Sequence, residues 1–133
     1  MILSPMKKMS FALLLLPLAL AGCSSITNLT PTRLERNSSG FYRVEAAWQT
    51  REQAIRPESI KPLVVVGSDT YEMHPEEVVS DRWETFVPLP ADQNLLHYHF
   101  KFDFLRNAMS APVADSKMSP EFTLQVIDKP AAK

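Results

Sequence analysis

Apolar and polar residues alternate with a period of two over much of the chain beyond residue 33, the pattern of strands with one dry face and one wet face. The clearest stretch is Leu95 to Leu105 (LLHYHFKFDFL), where Leu96, Tyr98, Phe100, Phe102 and Phe104 alternate with His97, His99, Lys101 and Asp103. A one-residue slip in its pairing would turn all four of its apolar-face aromatic rings into water, so this strand predicts its own register. Phe41 to Trp48 repeats the arrangement, with Tyr42, Val44, Ala46 and Trp48 on one side and Arg43 and Glu45 on the other. Asn37-Ser-Ser-Gly40 ahead of it reads as a turn.

Ile60 to Val66 predicts a further strand, and its Pro62, which has no N–H for a ladder, marks an edge or a strand start. Gly67-Ser-Asp69 ends it. Thr70 to Met73 predicts a short strand, and Pro75 to Val79 a single helical turn with proline first and acids near the helix N-terminus. Arg82 to Leu89, with Trp83, Thr85 and Val87 on one face, and Glu121 to Ile127, with Phe122, Leu124 and Val126 inward, are two more strands. Pro90 to Asn94 is a loop, and Arg33 to Glu35 adds a weak strand, for about seven in all. Such a series predicts an all-β fold, an antiparallel sandwich. Its strand count, size and alternation resemble an immunoglobulin-like or fibronectin-like sandwich across most of the chain. The resemblance implies architecture alone, because Cys23 is the sole cysteine and the paired inter-sheet cysteines of antibody domains are absent. A small lipocalin-like β-barrel is the alternative, for which the three glycines are few.

The first residues follow a different logic. Lys7 and Lys8 precede an uncharged run from Phe11 to Leu20 and the small pair Ala21-Gly22, the layout of a secretory signal. The run is about half the roughly twenty residues that a membrane-spanning helix needs. Leu20-Ala21-Gly22-Cys23 resembles the lipobox of bacterial lipoproteins at every position. The resemblance implies cleavage between Gly22 and Cys23, a diacylglyceryl thioether on the Cys23 sulfur, and acylation of the new amino group. By the sorting pattern of that family, Ser24 implies the outer membrane and a domain facing the periplasm. A lone bare thiol is a liability in an oxidising compartment, and lipid removes it. Two or three acyl chains anchor stably where one holds only marginally. The expected organisation is a signal peptide at 1–22, a lipidated N-terminus and tether at 23–32 (polar, with Pro31), a β-sandwich domain at 33–128 and a flexible tail at 129–133.

Removing the first 22 of 133 residues leaves enough chain for one domain and too little for two. That portion has 12 basic and 15 acidic side chains, a net charge of −3, which disfavours nucleic-acid binding. The sequence contains no G-x-S-x-G elbow, H-E-x-x-H pair, phosphate-binding glycine loop or paired-cysteine motif, and the expectation is a protein that is not an enzyme and has no catalytic residue.

Candidate chemistry is sparse. His97 and His99 stand two apart in a strand and share a face, as two metal ligands would, but a closed site needs a third ligand; Asp103 is further along and His74 is distant in sequence. Alternation alone demands something polar there, so both are read as solvated, with no metal and no cofactor beyond the lipid. Trp48 and Trp83 fall on the apolar phase and are read as core. Tyr71 and Phe86 fall on the opposite phase and are the better candidates for an exposed ligand surface. The acids Glu76, Glu77, Asp81 and Glu84 lie in turns or at strand ends with no evident basic partner. The resulting expectation is a membrane-anchored, non-catalytic interaction module in an envelope assembly, binding an envelope protein. A glycan- or peptidoglycan-binding lipoprotein is the alternative, and a small envelope hydrolase the third reading.

Overall fold

A computed structural model describes residues 24–128. The lipobox, with its cleavage and lipidation positions Gly22 and Cys23, and the tail 129–133 lie outside the described residues. Ten strands follow one another: β1 (Ser24–Asn28), β2 (Arg33–Glu35), β3 (Phe41–Thr50), β4 (Lys61–Val66), β5 (Asp69–Glu72), β6 (His74–Pro75), β7 (Arg82–Pro88), β8 (Leu95–Arg106), β9 (Val113–Met118) and β10 (Phe122–Ile127). They form a four-stranded sheet in the order β1-β3-β7-β6 and a six-stranded sheet in the order β2-β10-β8-β4-β5, with β9 also on β8. This is an all-β sandwich, and with β1, β3, β7 and β6 as strands A, B, E and D, and β4, β8 and β9–β10 as C, F and G, its strand order follows the immunoglobulin-like pattern. The short β5 is added beside β4, and β2 lies parallel to β10. The sheets remain separate, which excludes the barrel alternative.

The alternation read from the sequence sets the core. Tyr42, Val44, Ala46 and Trp48 of β3 face Leu96, Tyr98, Phe100, Phe102 and Phe104 of β8, joined by Val64, Val87, Leu124 and Val126, all buried. Phe102 bridges the sheets, its ring centroid 4.8 Å from that of Trp48 and 5.3 Å from that of Trp83. Contacts of this kind add about 0.5–1.5 kcal/mol beyond the area each ring buries. β8 is long enough to take two partners end to end along one edge. Its first half pairs with β10 and its second with β9, and Ser119 bonds both backbone groups of Phe100 where the two meet.

Two expectations are corrected, and one strand is added. Half of the expected tether at 23–32 is strand: β1, Ser24–Asn28, pairs with β3 from Ser24↔Thr50 to Asn28↔Ala46. Thr30 is buried, accepting a hydrogen bond from the Glu45 amide and donating to its carbonyl. β3 has an edge to be covered, and a short polar strand is the usual cover. Pro75 to Val79 forms no helix; β6 and a bend lead into Asp81, whose φ of 64° closes the turn into β7. The pairing of the Glu76 amide with the Arg82 carbonyl wins over a helical turn too short to sustain itself. β9, where Val113 to Met118 carries no alternation, is held by β8 alone.

The antiparallel strands give the sandwich two poles. At one, β1, β4, β7 and β9 begin and β3 and β8 end. Loops 51–60, 76–81 and 107–112 gather there, tied by Trp48 N–H to the Asp81 carbonyl (3.1 Å) and Asn107 N–H to the Ala54 carbonyl (2.7 Å). The turns at 37–40, 67–68 and 89–94 form the other pole.

Candidate interaction surface

The outer face of the four-stranded sheet is the most distinctive surface among the described residues. Period two sends Phe41, Arg43 and Glu45 of β3 outward, and cross-strand register sets Arg43 opposite Phe86 and Glu45 opposite Glu84 on β7. Phe41 is 48% and Phe86 59% exposed, and they are diagonal neighbours on this face. The two rings together leave an apolar patch on a sheet face that is otherwise polar there.

Next to them lies a crowded charge group. Arg43 Nη2 is 2.5 Å from Glu84 Oε2, 3.4 Å from Glu45 Oε2 and 3.8 Å from Glu76 Oε1, so one guanidinium serves three carboxylates. His74 stands opposite Glu84 at the sheet edge. Partial burial pushes the Glu45 carboxyl above its ordinary value, and the neighbouring Glu76 and Glu84 add to this; Arg43 opposes the shift without cancelling it. One guanidinium among three carboxylates leaves like charges close together.

The sequence-predicted residues do not converge. Phe86 lies on this face, exposed as expected. Tyr71 does not: opposite the fully buried Val64, it shares the inward phase and packs half-buried against the core at the edge strand β5. The expected exposure fails because β5 is short and paired on one side, so its inner phase is the rim of the core. His97 and His99 lie on the outer face of the other sheet, where His97 Nδ1 is 2.9 Å from Thr123 Oγ1 on β10. Among the described residues, no three His, Cys, Asp or Glu side chains are grouped to hold a metal ion. Trp48 is buried and Trp83 half-buried in the core, as read from their phase.

Sequence reasoning missed Arg43 and Phe41. The cation that Glu76 and Glu84 share, Arg43, is distant in sequence and comes from β3, which only the sheet order supplies. The signal for Phe41 is its place one step out of phase with Tyr42. Comparison with protein-family models, with curated proteins and with solved structures finds no match to this chain.

Proposed function

We propose that this protein is a lipid-anchored module of the bacterial envelope, fastened to the outer membrane through a diacylglyceryl and N-acyl modified Cys23 and facing the periplasm. Its β-sandwich is a non-catalytic binding domain that joins an envelope protein partner through the outer face of the four-stranded sheet. The observation that carries the binding role is the exposed pair Phe41 and Phe86 beside Arg43 and its three glutamates. Aromatic rings supply contact area at low entropic cost, and a charged group next to them supplies orientation. The anchor reading is supported by Leu20-Ala21-Gly22-Cys23 after an apolar run too short to span a bilayer. A glycan ligand is the second reading, favoured by an exposed Phe86 ring one pair away from the Glu84 carboxylate on the same strand face.

The test uses the full lipidated protein extracted from membranes. Affinity capture from envelope extract is expected to enrich a protein partner, and the Phe41→Ala/Phe86→Ala variant to lose it while keeping its fold. Retention on insoluble peptidoglycan, lost in the same variant, would instead favour the glycan reading. Capture that the double substitution leaves intact would remove this face from the proposal.

A further inference from the structure

We infer that the pole bearing the start of β1 rests on the bilayer, with loops 76–81 and 107–112 in contact with the lipid headgroup boundary. The inference rests on the proposed lipidation of Cys23 and adds what the domain does beside its anchor. Strand β1 begins at Ser24, paired with Thr50, so the lipid-bearing residue is one Cα step, about 3.8 Å, from a fixed point of the fold. A lipid there leaves no spacer to hold the domain away.

Short bonds connect that fixed point to both loops. The Thr50 hydroxyl accepts from the Glu52 amide (3.1 Å), and the Glu52 carboxylate is 3.1 Å from Arg106, the last residue of β8 before loop 107–112. Trp48, two residues before Thr50, donates to the Asp81 carbonyl that ends loop 76–81. Arg56 Nε donates to Asn107 Oδ1 at 2.6 Å, so the base of the second loop is fixed while its tip is exposed.

What these loops carry suits an interface between water and lipid. Asn107 to Ala114 (NAMSAPVA) is exposed throughout and has no charge, with Met109 wholly exposed and Val113 at 53%. In the other loop Val78 is 92% and Val79 38% exposed, between the exposed acids Glu77 and Asp81, so the two valines are the apolar tip of an otherwise acidic loop. Single exposed apolar residues need no explanation, but these sit together at the one pole that the anchor would press against a membrane. The exposed turn tips at the opposite pole are mainly polar (Asn37-Ser-Ser-Gly40, Gly67-Ser68 and Asp92-Gln-Asn94), and the exposed apolar residues there, Phe41 and Leu95, lie on the strands beside them rather than at the tips. Apolar loop tips of this size enter the headgroup region without crossing it and set the orientation of an anchored body. The Phe41 and Phe86 face then stands upright from the membrane, open sideways to a partner.

The experiment places single cysteines at Val78→Cys and Met109→Cys, with Ser38→Cys and Asp92→Cys at the opposite pole as controls, in the full-length lipidated protein. Each is labelled with a solvatochromic thiol dye and reconstituted in phosphatidylethanolamine–phosphatidylglycerol vesicles with and without a headgroup-attached quencher. Dyes at 78 and 109 are expected to shift to the blue and be quenched, and those at 38 and 92 to do neither. Equal spectra at the two poles, with intact mass showing lipid on Cys23, would overturn this inference and leave the anchor standing. A mass showing a bare Cys23 would overturn the anchor and this inference together.

Discussion

The outer faces of the two sheets are made by the same rule and end in opposite electrostatic conditions. On the six-stranded sheet, His97 meets the Thr123 hydroxyl across β8 and β10, and Lys101 lies 3.5 Å from Asp103 two residues along the same strand. These groups find local partners of suitable character. On the four-stranded sheet, Glu45 stands opposite Glu84, Glu76 joins them from beyond β6, and Arg43 is the cation shared by all three. Alternation decides which side chains are wet. It does not decide whether the wet ones neutralise each other, and the face where they do not is the one with exposed aromatic rings.

The largest test of that comparison attacks what the faces share. Phe102 sits on β8 between Trp48 and Trp83 of the opposite sheet and is fully buried. Phe102→Ala is expected to cost about 3–5 kcal/mol in urea unfolding. Fluorescence of the two tryptophans and circular dichroism should fall together, since both faces depend on one core. Separate transitions would mean that the sheets are independent and their faces cannot be compared as parts of one fold.

Arg43→Ala comes next. It leaves Glu45, Glu76 and Glu84 without their cation, and an exposed network of this kind is worth about 1 kcal/mol at pH 7 and low salt. The loss should shrink as pH falls and the carboxylates take up protons, and shrink again in high salt. Urea midpoints at two pH values and two salt concentrations check it. An equal loss under all four conditions would assign the effect to packing of the arginine stem.

Glu45→Gln has the opposite sign. Because burial and its acidic neighbours raise the Glu45 carboxyl above the ordinary 4.5, the folded chain binds that proton more tightly than the unfolded one. Stability is therefore greatest below the ordinary value and is lost as pH rises through the interval up to the raised value, staying low above it. The glutamine variant keeps size and loses the charge, so it should be more stable than the parent at neutral pH and flatter across that interval. Coincident pH profiles would show that Arg43 fully neutralises the group.

These tests also mark what the sequence made legible. The inward rows of β3, β7, β8 and β10 were readable because a buried strand face must be apolar at every second position, and the sandwich follows from packing such rows together. β1 was not readable: Ser24-Ser-Ile-Thr-Asn28 has one large apolar residue, and its turn-prone composition hides a strand whose cause is the open edge of β3. The phase of Tyr71 relative to its neighbours in sequence points outward, while its surroundings are set by Val64 across the ladder. The Arg43 group was invisible for a related reason. Its members are up to 41 residues apart, from Arg43 to Glu84, and meet only through strand order.

The smallest expected effect belongs to the other face. His97 is exposed, and its bond to Thr123 exchanges water contacts for a neighbour of similar strength, so His97→Ala should change stability by no more than about 0.5 kcal/mol. Its partner His99 shares the face at the spacing of two metal ligands, yet the next polar positions along β8 hold Lys101 and an Asp103 that lies beside that lysine. A cation arriving there would compete with an ammonium group already in place and find two imidazoles at most. Calorimetric titration with zinc should accordingly give the same heat for the parent and for His97→Ala. A zinc heat that disappears in the variant, or a stability loss well above 0.5 kcal/mol, would show organised chemistry on the six-stranded face and reverse the assignment of the binding surface to the sheet of Phe41 and Phe86.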